Sequence, residues 1–67
     1  MKRVSGKEMC KVLQGLGWVL DRVRSAHHIY RHADGRTVPV PVHGNRTMKL
    51  GTQRSVMRLA GLQPEDL

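Results

Sequence analysis

Acidic side chains are scarce: 5 Asp and Glu stand against 12 Lys and Arg in 67 residues. Glu65 and Asp66 lie in the C-terminal tail and the others are scattered, so no carboxylate cluster is at hand for two-metal phosphoryl chemistry. Cysteine is almost absent too. The single Cys10 has no partner for an internal disulfide, as expected of a chain kept in a reducing compartment such as the cytoplasm. No apolar run approaches the roughly 18 residues that span a bilayer. The stretch MKRVSGKEMCKVL is basic but lacks a continuous apolar segment and a small-residue cleavage site, so no export signal is expected. Repeats, low-complexity tracts and linkers are missing. A chain this short buries only about 60% of its unfolded surface. Residues 1–67 are therefore expected to form one small domain, without a large cleft or a separate cofactor domain.

What the chain has in excess is positive charge, a formal net +7. So much over so little surface points to a polyanionic partner, of which nucleic acid is the commonest. Acidic membranes and acidic proteins compete for that role.

The order of elements follows from spacing. Ser5-Gly6-Lys7-Glu8 has the pattern of a capping box, with Ser5 as N-cap, and Val4 and Met9 fall at the positions of a hydrophobic staple. Met9, Val12, Leu13 and Leu16 make one apolar face and Gly17 supplies a stop, so the first helix covers about residues 6–16. Residues 18–24 and 27–32 suit strands, joined by a very short Ser25-Ala26 link that has no glycine. Ala33-Asp34-Gly35-Arg36 is a tight hairpin signal. In the third strand, Val38, Val40 and Val42 share one face, while Pro39 and Pro41 share the other parity. Both missing N–H donors then lie on one side, which only an edge strand tolerates, with its valines toward the helices. His43-Gly44-Asn45-Arg46 reads as a loop. A second helix follows, capped by Thr52, burying Val56, Leu59 and Ala60 with Met57 at the margin, and ended by Gly61 ahead of Pro64. Arg54 and Arg58 project together from it. The expected fold is α+β in the order α-β-β-β-α, a three-stranded antiparallel sheet with two helices on one face.

Four histidines, His27, His28, His32 and His43, carry most of the candidate chemistry. A zinc site does not suit them, because His28 and His32 on one strand lie about 13 Å apart and adjacent His27 and His28 point to opposite faces. No metal is expected. A Ser-His-Asp arrangement has no nucleophile elbow to rest on. The histidine-rich strand lies instead among Arg22, Arg24 and Arg31, with Arg46 and Lys49 further on. This combination suits RNA cleavage. RNA carries its own nucleophile, the 2′-hydroxyl; histidine can move the protons near neutral pH, and arginine or lysine can offset the phosphorane charge. Histidines on a strand are more often surface or half-buried filler, so from composition and spacing plain nucleic-acid binding stands ahead of this reading.

Arg24-Ser25-Ala26-His27-His28-Ile29-Tyr30-Arg31-His32, then Asp34-Gly35, then Val38-Pro39-Val40-Pro41-Val42-His43-Gly44-Asn45 together resemble the HicA family of mRNA-interferase toxins. Ser5-Gly6-Lys7-Glu8, Gly15-Leu16-Gly17-Trp18 and Gly51-Thr52 extend the resemblance to almost the whole chain. It implies a fold like a double-stranded-RNA-binding domain, metal-independent cleavage of mRNA without a cofactor, and neutralisation by a HicB antitoxin. The family's catalytic histidine follows a Gly-Ser pair at the start of the second strand, which by match is His27. Arg24, Ser25, His28, Arg31, Arg46 and Lys49 are the candidate RNA-binding residues around it. Tyr30 and Trp18 are expected in the core.

One departure falls beside the catalytic position. Ser25-Ala26 stands where the family usually has Gly-Ser. Loss of the glycine removes backbone freedom at a tight link, and a hydroxyl displaced to Ser25 points to the other face of a strand. An attenuated toxin and a non-catalytic RNA-binding module of the same fold are therefore alternatives to the active enzyme. A protein whose basic surface serves only an acidic partner is a third.

Overall fold

Ser5 starts the first helix through reciprocal hydrogen bonds in a computed structural model that describes residues 1–67. Its Oγ accepts the Glu8 N–H at 3.1 Å, and Glu8 Oε1 accepts the Ser5 N–H at 2.9 Å. These bonds hold the Glu8 carboxyl below its usual range. Helix α1 runs Gly6–Gly15, one residue short of the expected span, and Gly17 takes the left-handed turn at φ 92°. Strands β1 (Val19–Arg24), β2 (His27–Arg31) and β3 (Thr37–Pro41) follow, then α2 (Leu50–Ala60) and a final 3₁₀ turn at Pro64–Asp66. The order is α-β-β-β-α, an α+β fold. Trp18, His32 and Val42, expected at strand ends, lie just outside the ladders.

The sheet is antiparallel in the order β1-β2-β3. Register assigns its faces. Tyr30 opposite Val38 and His28 opposite Val40 share one face; His27 opposite Pro41 and Ile29 opposite Pro39 share the other. Both helices cover the first face: Tyr30, Val38 and Val40 are buried with Met9 and Leu13 of α1 and with Val56 and Met57 of α2. The valines of β3 thus face the helices, its prolines face away, and β3 is an edge strand as its sequence requires. Trp18 is buried, with the Arg36 guanidinium 5.2 Å from its ring centre and the His32 ring 5.0 Å away.

Helix α2 corrects two expectations. It begins at Leu50 with Lys49 as N-cap, so Thr52 lies inside the first turn and caps nothing. Its buried stripe is Gln53, Val56, Met57 and Ala60, whereas Leu59 is 48% exposed. Gln53 sets that phase. Its Oε1 accepts the Val4 N–H at 3.0 Å and its Nε2 donates to the Lys2 carbonyl at 2.7 Å, tying the N-terminal segment to α2. Next to this clamp, the Met48 N–H donates to the Val4 carbonyl at 3.0 Å and Ser5 bridges to Thr47. A fully buried glutamine with both ends satisfied costs little; unpaired, it would be expensive.

Gly6 controls how closely α1 approaches the sheet. A Cβ built there would lie 2.1 Å from the Pro41 carbonyl oxygen and 3.0 Å from Val42 Cα. Only glycine allows this contact between the start of α1 and the end of β3. No helix is long and apolar enough to cross a membrane.

Candidate nucleic-acid groove

Two prolines shape the outer edge of β3. Pro39 and Pro41 carry no N–H, so this edge cannot donate two of the bonds needed to add another strand along it. It borders a groove of about 1040 Å³ instead, with β3 on one side and α2 on the other. His27, opposite Pro41 across the β2–β3 pair, reaches this groove at the start of β2. His43, Arg46 and Lys49 enter it from the β3–α2 connection. Thr52 and Ser55 supply hydroxyls from α2, and no Asp or Glu lines the groove.

Its electrostatics follow from those residues. Arg46 and Lys49 bring positive charge with no lining carboxylate to offset it. Helix α2 has no side-chain cap and no acid in its first turn. Its uncapped N–H groups and the positive end of its dipole therefore lie at the groove, where Gly51 and Thr52 are part of the wall.

Of the residues singled out from the sequence, His27, Arg46 and Lys49 come together here. Arg24 pairs with His27 in the β1–β2 register and shares its face, without lining the groove. Ser25 forms the turn between them with φ 55°, the left-handed conformation usually given to glycine. The tight link is thus made in the left-handed region by a serine. His28 is on the helix side, half-buried between Val23 and Val40. Arg31 is on the face of His27 but at the far end of β2, 3.7 Å from the Asp21 carboxylate, which also pairs with Arg22 at 2.6 Å. No group of three or more His, Cys, Asp or Glu gathers in a metal-binding arrangement.

His43, Thr52 and Ser55 are groove residues beyond those expected from the sequence. A signal for His43 was available: it has the parity of Pro39 and Pro41, and the Asp34-Gly35 turn fixes the register that sets Pro41 against His27. Thr52 and Ser55 carried no such signal, because their placement depends on the phase that Gln53 imposes on α2.

The remaining perturbed groups are structural. Burial pushes the Tyr30 hydroxyl up to about 12, and the Cys10 side chain beside it adds to the shift. Tyr30 Oη accepts a hydrogen bond from Gln14 Nε2 at 3.0 Å. Burial also raises the Cys10 thiol, which argues against a reactive thiolate.

Fold and groove together define a small basic α+β protein with a histidine-bearing cationic cleft along one sheet edge. The sequence model of a family described as "HicA toxin of bacterial toxin-antitoxin" matches residues 6–62, so the chain belongs to the HicA toxin family. It is a toxin of the toxin–antitoxin class. No curated protein matches the chain.

Proposed function

We propose that the chain is an endoribonuclease that cuts single-stranded mRNA in the groove between β3 and α2, without a metal, and is neutralised by a HicB-like antitoxin in the cytoplasm. The observation that carries this reading is the placement of His27 in a groove that holds Arg46 and Lys49 and no acid. Arg46 and Lys49 hold the backbone phosphate and offset the charge that grows on it. His27 moves a proton to or from the reacting oxygens, as an imidazole can near neutral pH. The RNA supplies the nucleophile: its 2′-oxygen bonds to phosphorus, the bond to the 5′-oxygen breaks, and the ends are a 2′,3′-cyclic phosphate and a 5′-hydroxyl. The turn at Ser25 supports an active rather than an attenuated form, since it holds the conformation a glycine would serve.

Cleavage of a labelled single-stranded mRNA in EDTA, with wild type and His27→Ala compared, tests this reading. Cutting by wild type and a loss of about 10²–10⁴-fold in a folded His27→Ala variant is the expected result. RNA binding without cutting by either protein would replace the enzyme with a binding module. Failure to bind RNA even at low salt, where phosphate contacts are strongest, would leave only an acidic protein partner.

A further inference from the structure

Cleavage through the 2′-hydroxyl needs two proton transfers, one from the attacking oxygen and one to the leaving oxygen, and His27 alone accounts for one of them. We infer that His43 is the second proton-transfer group of the groove, an inference that rests on the nuclease reading above. His27 and His43 both line the groove, although they come from the start of β2 and the loop after β3. Register explains why both line it. His27 faces Pro41, and beyond it the Val42 N–H still donates to the Ala26 carbonyl at 2.7 Å, so the extended path continues past the end of β3. Position 43 is then the diagonal neighbour of position 27 on one face, with about 7–8 Å between such Cα atoms. Two imidazoles rooted at that separation fit on either side of a single phosphate.

The other candidates fail on position. His28 is on the helix face against Val40. His32 packs against Trp18 with the rings tilted 57° and contacts Asp34 at 3.2 Å, beyond the far end of β2. His43 is exposed and makes no side-chain hydrogen bond or ion pair that would occupy its ring. The loop that carries it is held in place: the Arg46 N–H donates to the His43 carbonyl at 3.1 Å. In the reaction one imidazole takes the 2′-hydroxyl proton as the 2′-oxygen bonds to phosphorus. The other, as imidazolium, gives its proton to the 5′-oxygen as the P–O5′ bond breaks. No oxidant, reductant or co-reactant is consumed.

The test compares wild type, His27→Ala, His43→Ala and His43→Asn in single-turnover cleavage of two RNAs. One is ordinary; the other has sulfur in place of the bridging 5′-oxygen at the cut site, and a thiolate leaves without a general acid. His43→Ala is expected to lose about 10²-fold or more on ordinary RNA, with His43→Asn behaving alike and both melting near wild type. The sulfur substrate is expected to restore the rate of whichever histidine variant lacks the acid, and only that one. His43 variants within threefold of wild type on ordinary RNA would overturn the inference. So would losses at both histidines that sulfur rescues in neither. A wild-type chain that cuts no RNA would instead sink the nuclease reading itself, and the two failures are thereby distinct.

Discussion

At one edge of the sheet β3 turns Pro39 and Pro41 outward and is flanked by α2; at the other, β1 has every residue exposed. The β3 edge has no outward donor at Pro39 or Pro41 and borders a groove of cations, imidazoles and hydroxyls. The β1 edge keeps its donors and shows apolar side chains, with Val19 67%, Val23 52% and Leu20 42% exposed. It is protected in other ways. The register shifts between Leu20 and Arg22, and Asp21 beside the shift pairs with Arg22 and Arg31. Bulges and charges both discourage a second strand from pairing there. One sheet thus uses two devices against aggregation, and the proline device borders the groove that holds Arg46 and Lys49 without an acid.

The contrast can be broken most sharply at His27. Its replacement by alanine should cost cleavage about 10²–10⁴-fold, whereas Val23→Thr on β1 should leave the rate unchanged in the same assay. A loss at Val23 equal to that at His27 would erase the difference between the edges.

Closure of the groove side is the next target. Gly6→Ala drives a Cβ into the Pro41 carbonyl, and the shift it forces should cost about 1–3 kcal/mol in urea unfolding. An unchanged midpoint would mean that α1 does not rest on β3 as described. Central strand β2 serves both edges, and Tyr30 gives it a pH signature. The hydroxyl is raised from 10.0 to about 12 in the folded chain, so its contribution is complete below pH 10 and is lost as pH rises from about 10 through 12. Urea midpoints should fall across that window, and Tyr30→Phe should flatten the fall.

Smaller effects are expected at the β1–β2 turn. Ser25 holds φ 55°, a conformation that costs an L-residue roughly 1–2 kcal/mol. Ser25→Gly should therefore raise stability, by about 1 kcal/mol after the entropy cost of glycine, and cleavage should be retained. Smallest of all, Val23→Thr should move stability by no more than about 0.5 kcal/mol, as is usual for exposed positions.

Much of this architecture was legible because local chemistry and tertiary need agree. The capping box at Ser5, the alternation of valine with proline in β3 and the Asp34-Gly35 turn each say where the chain must go. Helix α2 was harder. Its stripe includes a glutamine, and no apolar periodicity reveals that Gln53 is buried to bind Val4 and Lys2, nor that Leu59 is left outside. Gly6 was hidden for a similar reason: inside a capping box it looks like any first-turn residue until β3 lies against it. For the groove, His27, Arg46 and Lys49 were found from charge and resemblance. His28 and Arg31, also candidates, lie outside the groove: strand parity puts His28 on the helix face and Asp21 pairs with Arg31.

If the groove cuts RNA with the RNA's own 2′-hydroxyl, a strand without that hydroxyl must stay whole. The most direct measurement is cleavage, in EDTA, of a labelled RNA and of the same strand with 2′-deoxy sugars throughout, with the ends of the products analysed. Cutting of the RNA alone, leaving 2′,3′-cyclic phosphate and 5′-hydroxyl ends, is the expected result. Cutting of the deoxy strand, or 5′-phosphate ends on the RNA products, would contradict it.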